Sequence, residues 1–181
     1  MAKETKDYKE GFLHQGFDAA KTDYNQRGYH LEVVLDVKQV RKFAQAAYEL
    51  GFYLVFVTGF HVRPDEGHDK KKSGIEVVYQ FARYDRQYRI KARASVPNNL
   101  KIPSISDIYQ GANWHERETR DLYGVVFDGH PNMKPLLLAE EDSDFHPLLK
   151  EEANLKSLDE VSWSSEGPEI AKGEAETETG R

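Results

Sequence analysis

IEVVYQFARYDRQYRIKARASV, residues 75–96, is the stretch from which the fold class follows. It divides into two runs rich in β-branched and aromatic residues around Asp85-Arg86, the pattern of a β-hairpin. In the second run Tyr88, Ile90, Ala92 and Ala94 alternate with Arg89, Lys91 and Arg93. Successive strand side chains point to opposite faces, so one face is expected to be buried and the other basic.

Working upstream, FYLVFVTGF (52–60) reads as a buried strand and LEVVLDV (31–37) as a shorter one. Between them Val40, Phe43, Ala44, Ala47 and Leu50 recur at helical spacing, and Gly51 stands where a helix ends. The polar segment HVRPDEGHDKKKSG (61–74) predicts a surface loop. Leu13, Phe17, Ala20 and Tyr24 predict an amphipathic helix ending near Gly28. Downstream of Pro97-Asn98-Asn99, Ser104 or Ser106 is placed to cap a helix running towards Trp114, and Val125–Phe127 reads as a short strand.

The resulting order is α-β-α-β-β-β-α-β. It predicts an α+β fold, a mainly antiparallel sheet with packed helices, and an extended acidic C-terminal tail. Three parts are expected: a helical segment over 1–28, an α+β domain over 29–150 and a partly disordered tail over 151–181. Leu155, Leu158, Val161 and Trp163 are isolated apolar anchors in that tail, open either to a partner or to the chain's own domain.

Composition narrows the function. A formal net charge of −6 disfavours a general nucleic-acid binder, which needs a basic face for phosphate. The chain has no cysteine, so it cannot hold thiolate-ligated clusters, cysteine zinc sites, disulfides or a thiol nucleophile. A cytoplasmic setting is expected. MAKETKDYKEGF carries no apolar run of the signal-peptide kind, and Phe52–Val57 is too short to cross a bilayer. Membrane association is therefore expected to come through a partner.

Chemistry-bearing residues concentrate in GANWHERETRDLYGVVFDGHPNMKPLLL, residues 111–138. His115-Glu116 opens like a zinc-protease helix, but Thr119 stands where the second histidine belongs, so that motif fails. Glu116 with Arg120, and Arg117 with Asp121, are spaced i,i+4 and predict either exposed intrahelical ion pairs or a partly buried recognition network. Glu116, Glu118 and Asp121 could serve acid–base work, yet no glycine-rich cradle or nucleophile elbow accompanies them. Gly124 and Gly129 follow a helix rather than a strand, which rules out a dinucleotide fingerprint. None of the seven histidines forms a short ligand pair. Tyr123-Gly124, Asp128-Gly129 and His130-Pro131 together predict a rigid helix–strand–turn corner.

This stretch resembles the signature of the 30-kDa (C-type) subunit family of respiratory complex I, the NADH-quinone oxidoreductase. Its elements here are Glu116-Arg117-Glu118, Asp121, Tyr123, Gly124-Val125 and Phe127-Asp128-Gly129-His130-Pro131. Pro103-Ser104 leading into Asp107-Ile108, and His146-Pro147-Leu148, add to the match, which spans about residues 31–150. Two departures stand out. Lys134-Pro135 occupies the place of a frequent arginine pair, and Pro147-Leu148-Leu149-Lys150 that of P-L-R-K. Both are similar to relatives in membrane-bound nickel–iron hydrogenases and F420H2-type dehydrogenases.

The resemblance implies a non-redox peripheral-arm subunit of a proton-translocating NADH:quinone oxidoreductase. Such a protein is part of an enzyme without a catalytic, cofactor-binding or metal site of its own. It is implied to scaffold the D-type (49-kDa-like) large subunit near the quinone site, together with other hydrophilic-arm subunits. Iron–sulfur clusters, flavin and quinone would belong to those partners, and the complex would sit on the cytoplasmic face of the cell membrane. The implied interface comprises Trp114, Glu116, Arg117, Glu118, Arg120, Asp121, Tyr123, Gly124, Phe127, Gly129, His130, Pro131 and Lys134. In this reading Arg117, Arg120 and Lys134 meet acidic groups, Trp114, Tyr123 and Phe127 act as apolar anchors, and the carboxylates orient the arginines.

Two other classes are open to test. A free RNA-binding domain would use Arg89, Lys91 and Arg93 beside Tyr79 and Tyr88, although its glycine-aromatic signature is missing. A stand-alone enzyme would use the carboxylate cluster and turn over without partners.

Overall fold

Hydrophobic alternation and helical stripes become one sheet with helices packed against it. The computed structural model describes residues 8–62 and 74–150. In chain order the elements are α1 (Tyr8–His14), β1 (Asp18–Lys21), α2 (Tyr24–Arg27), β2 (Leu31–Leu35) and, after a 3-10 turn, α3 (Val40–Glu49). There follow β3 (Tyr53–Val62), β4 (Gly74–Ala82), β5 (Arg89–Ser95), β6 (Lys101–Pro103), α4 (Ala112–Tyr123) and β7 (Val126–Asp128).

Five strands form a sheet in the order β1-β2-β5-β4-β3. β3–β4, β4–β5 and β1–β2 are antiparallel, whereas β2 and β5 run parallel with Leu31 beside Ile90 and Leu35 beside Ala94. β6 and β7 form a separate parallel pair. The α+β class and the largely antiparallel sheet are as the sequence predicts.

The hairpin alternation sets the core. Ile90, Ala92 and Ala94 are fully buried, beside Val77, Tyr79 and Phe81 of β4. Val40, Phe43, Ala44 and Ala47 of α3 are also buried. Phe43 meets Phe12, Phe17 and Phe81 with ring centroids 5.0, 5.2 and 5.7 Å apart. Burying an aromatic or aliphatic side chain of this size is worth about 1.5–3 kcal/mol, so this cluster anchors the helices to the sheet.

Four expectations change. The helix predicted from Leu13 to Gly28 is instead α1, β1 and α2. Leu13 is 44% exposed, while Phe12, Phe17 and Ala19 are the residues that reach the core. Pairing of Asp18–Lys21 with Leu31–Val34 overrides the helical spacing. The helix expected near Ser104 starts only at Ala112, and β6 precedes it. Nor is the open face of β5 simply basic. Glu32 takes both Lys91 (3.5 Å) and Arg93 (3.3 Å), and Arg93 also reaches Glu76 at 2.9 Å, because cross-strand neighbours interleave acids with the bases. Finally, His61 and Val62 extend β3, while the rest of the expected loop up to residue 73 lies outside the described residues. The tail anchors Leu155, Leu158, Val161 and Trp163 also lie outside them.

Candidate functional site

α4 carries the signature, and its inward stripe is Ala112, Glu116 and Thr119. An α-helix places residues three and four apart on one face, so Glu116 enters the interior together with its apolar neighbour. Its carboxylate is fully buried. The Ser104 hydroxyl donates to one oxygen at 2.6 Å and the Ile105 amide to the other at 2.8 Å. Ser106 Oγ lies 2.8 Å from Ser104 Oγ, extending the chain of hydroxyls. Burial pushes the Glu116 carboxyl up to about 7, against the pull of these two donors. Nearby, the Tyr79 hydroxyl is buried without a hydrogen-bond partner among the described residues.

Asp121 is the second fully buried carboxylate. Oδ2 accepts from the amides of Leu136 (2.7 Å), Leu137 (2.8 Å) and Leu138 (3.3 Å), and Arg120 reaches Oδ1 at 3.2 Å. Burial opposes its ionisation, but the three amides and Arg120 win, and the carboxyl is held below its ordinary range. One side chain thus cross-links α4 to the returning 136–138 segment. A carboxylate bonded by several amides gains most when it is charged, which is why aspartate serves here.

The i,i+4 ion pairs do not form. Arg120 turns to its neighbour Asp121, and Glu116 turns inward. Arg117 instead donates from Nε to the Lys134 carbonyl (2.9 Å) and from Nη2 to the Pro135 carbonyl (2.8 Å). Its guanidinium lies 5.8 Å from the Trp114 ring, which is 64% exposed. Neutral carbonyls use two of the five N–H donors and leave the charge uncompensated among the described residues. Trp114, Arg117 and the exposed Lys134 therefore come together at the surface.

The corner beyond α4 is built by close approach. Gly124 adopts φ +74°, and a Cβ there would stand 2.8 Å from the His146 ring, whose Nδ1 donates to the Asp121 carbonyl at 3.0 Å. Tyr123 packs over Gly59 of β3 so tightly that a Cβ on Gly59 would meet the ring at 2.4 Å. Val125 and Phe127 bury the same face of the following segment. His130 accepts the Asn132 amide at Nδ1 (3.0 Å), which puts its proton on Nε2, 3.2 Å from the Asn113 carbonyl. Burial, aided by Arg117, lowers the His130 pKa.

The expected interface residues thus divide. Glu116, Asp121, Gly124 and Phe127 are buried within the chain, and Trp114, Gly129 and Pro131 are exposed. His115 and Glu118 approach to 3.9 Å on the outer side of α4. Residue chemistry alone does not single out Ser106, Gly59 or Tyr79 as the lining around α4. The resemblance marks Pro103-Ser104 and His146-Pro147, and of these Ser104 bonds the Glu116 carboxylate and His146 the Asp121 carbonyl of the helix.

Among the described residues no group of three or more His, Cys, Asp or Glu converges, and no helix is long and apolar enough to cross a membrane. The family model of "respiratory-chain NADH dehydrogenase, 30 Kd subunit" matches residues 33–156. The C-type subunit of NADH-quinone oxidoreductase from Azorhizobium caulinodans is 38% identical over 81 residues, 45% of this chain and 38% of that protein. The C-type subunit of F(420)H(2) dehydrogenase from Methanosarcina mazei is 38% identical over 82 residues, 45% of this chain and 52% of that one. The chain's matches span about half or less of the length of these relatives. Among solved structures, a trypsin-resistant fragment of Nqo5 aligns with a TM-score of 0.57 and 26% identity, covering 68% of this chain and 94% of the fragment. A chain of an archaeal membrane-bound sulfane sulfur reductase complex shares the fold, with a TM-score of 0.65 and 21% identity over 80% of this chain and 83% of its own. With its matched region covering well over half of the residues and the signature helix wired into the fold, the chain belongs to the 30-kDa-subunit family of respiratory-chain NADH dehydrogenase.

Proposed function

We propose that the chain is a non-redox scaffold in the peripheral arm of a complex I-type proton-translocating quinone oxidoreductase, held at the cytoplasmic face of the membrane by its partners. It docks a D-type large subunit through the surface around Trp114, Arg117 and Lys134, near the quinone site. Flavin, iron–sulfur clusters and quinone belong to neighbouring subunits. The observation that carries this reading is the Arg117 charge, fixed in place by two backbone carbonyls and a tryptophan face but not neutralised among the described residues. A rigid, uncompensated guanidinium beside an exposed aromatic suits a hot spot that receives a carboxylate. The inward carboxylates support the scaffold role as well, since Glu116 and Asp121 are spent on holding α4 to its neighbours.

The donor branch has a second reading. The likeness to an F(420)H(2) dehydrogenase subunit, together with Lys134-Pro135 and Leu149-Lys150, supports F420H2 as an alternative donor to NADH, and a nickel–iron hydrogenase is the other branch. Affinity purification of the tagged chain from its native membrane tests both. A co-purifying D-type subunit with iron–sulfur partners supports the scaffold, and the flavin, F420-oxidising or nickel subunit found with it identifies the donor. A Trp114→Ala chain should recover far less of the large subunit. Full recovery with that variant would move the interface elsewhere.

A further inference from the structure

The segment that carries Lys134 is held by side chains alone. Residues 131–138 form no helix or strand, and no backbone–backbone hydrogen bond reaches them among the described residues. Every hydrogen bond to their backbone there comes from one of three side chains. His130 Nδ1 accepts the Asn132 amide, Arg117 donates to the Lys134 and Pro135 carbonyls, and Asp121 accepts the Leu136, Leu137 and Leu138 amides. The segment is a strap fastened along α4 at three points. Backbone groups without a ladder or helix must find other partners, so these side chains decide where the strap lies.

The first fastening also grips the start of the helix. His130 Nε2–H meets the carbonyl of Asn113, the residue before Trp114. All three members of the docking surface are thereby tied to one ring. Trp114 follows the carbonyl it holds, Lys134 rides on the strap, and Arg117 is aimed by strap carbonyls.

A proton affects the three fastenings differently. Arginine keeps its charge at any ordinary pH. Against the effect of burial, three amides and Arg120 hold the Asp121 carboxyl below its usual range. Imidazole titrates near neutrality, and the incoming proton goes to Nδ1, the atom that accepts the Asn132 amide. Two N–H groups would then face each other across 3.0 Å, with a second cation beside Arg117. Burial and Arg117 push the ring's pKa below the ordinary 6.5, so the bond is present above that pH and is lost as the pH falls. The other charges on the elements around the ring are Lys134 on the strap, Asp128 at the end of β7, and His115 with Glu118, which approach each other on the outer side of α4.

We propose that His130 is the positioning residue of the docking surface and a proton-operated clasp on it. Unprotonated, it holds the strap to the first turn of α4, so that Trp114, Arg117 and Lys134 present one surface. Protonated, it releases the strap, and the partner with it. The inference rests on the reading of that surface as the docking site for a large subunit and adds what controls it.

Partner recovery by the full tagged chain from its native membrane, with washes from about pH 8 to about pH 5.5, tests the clasp against two variants. His130→Asn puts a carbonyl oxygen near the place of Nδ1, where it can accept the Asn132 amide and take up no proton. Wild-type recovery should fall about tenfold across the range, and that of His130→Asn by no more than about twofold. Glu116 does not imitate this effect, because its contribution to stability grows as the pH drops. His130→Ala, lacking both bonds, should recover about tenfold less than wild type even at about pH 8, while still unfolding cooperatively. In the free wild-type chain, protection of the Asn132 amide should fall about tenfold over the same range, after allowance for the pH dependence of exchange itself, and should hold in His130→Asn. Equal pH profiles for wild type and His130→Asn, or full recovery by His130→Ala, would overturn the clasp and leave the docking surface standing. A wild-type chain that recovers no large subunit at any pH would remove the docking reading and this inference with it.

Discussion

Glu116→Gln isolates the energetic consequence of putting a carboxyl in the interior. The folded pKa is about 7 against an ordinary value of 4.5, so the folded chain keeps a proton that the unfolded chain releases. Stability from this group is therefore fully present below about pH 4.5 and is lost as the pH rises towards 7. A separation of about 2.5 pH units corresponds to about 3 kcal/mol. Glutamine is nearly isosteric. Its carbonyl can still accept the Ile105 amide, and its NH2 can donate to Ser104 Oγ while the Ser104 hydroxyl turns to Ser106. The variant lacks the titration, so its stability curve should miss this fall. Urea unfolding of both chains, followed by circular dichroism from about pH 5 to about pH 8, measures the difference directly. The gap between variant and wild type should shift by about 2.5 kcal/mol in favour of glutamine across that range. A constant offset between the chains is immaterial, because only the slope matters. Parallel curves would refute the reasoning, and would mean that Glu116 titrates alike in the folded and unfolded chain.

Other perturbations probe the same helix. Asp121→Asn should cost about 3 kcal/mol and speed exchange at the Leu136–Leu138 amides, because a neutral amide replaces the charged acceptor they share. Unchanged exchange there would remove Asp121 as the clamp. Gly59→Ala should destabilise by about 2–3 kcal/mol, and by much less in a Tyr123→Ala background, since the clash is between those two residues. Additive losses in the double-mutant cycle would point to a backbone effect instead. Trp114→Ala should change the unfolding free energy of the free chain by no more than about 0.5 kcal/mol, as expected for a residue 64% exposed. A large loss measured by urea unfolding would assign Trp114 to the fold rather than to docking.

Much of this architecture is legible in the chain because local pattern and tertiary context agree. The period-two alternation of Tyr88–Ala94 and the stripe Val40–Leu50 each state which face is buried, and nothing competes with them. At the N-terminus the two disagree. Phe12, Phe17 and Ala19 satisfy the core from a helix, a turn and a strand in succession, a series of conformations that no single period describes. The site shows the same limit. Spacing indicates which α4 residues share a face, but not what stands opposite, and Glu116 finds Ser104 and Ile105 from twelve and eleven residues away. Arg117 likewise finds carbonyls at Lys134 and Pro135 that no side-chain inventory reveals. Backbone partners contributed by distant turns are invisible to residue-type reasoning, and here they replace the predicted ion pairs.

The parallel junction between β2 and β5 also governs the order in which this fold can assemble. The β3–β4–β5 meander joins neighbours along the chain, but Leu31–Leu35 finds its inner partner only in Ile90–Ala94, after α3 and two long strands have intervened. Closing that distance is an entropic cost met before any contact rewards it, so this step is expected to limit the folding rate. During synthesis, β1 and β2 must wait as an isolated two-stranded ribbon, marginal in water, until β5 has emerged. The N-terminal aromatic cluster, with Phe43 awaiting Phe81, remains exposed for that interval. Chaperone dependence in the nascent chain should therefore end near the emergence of Ser95, well before α4 has been made.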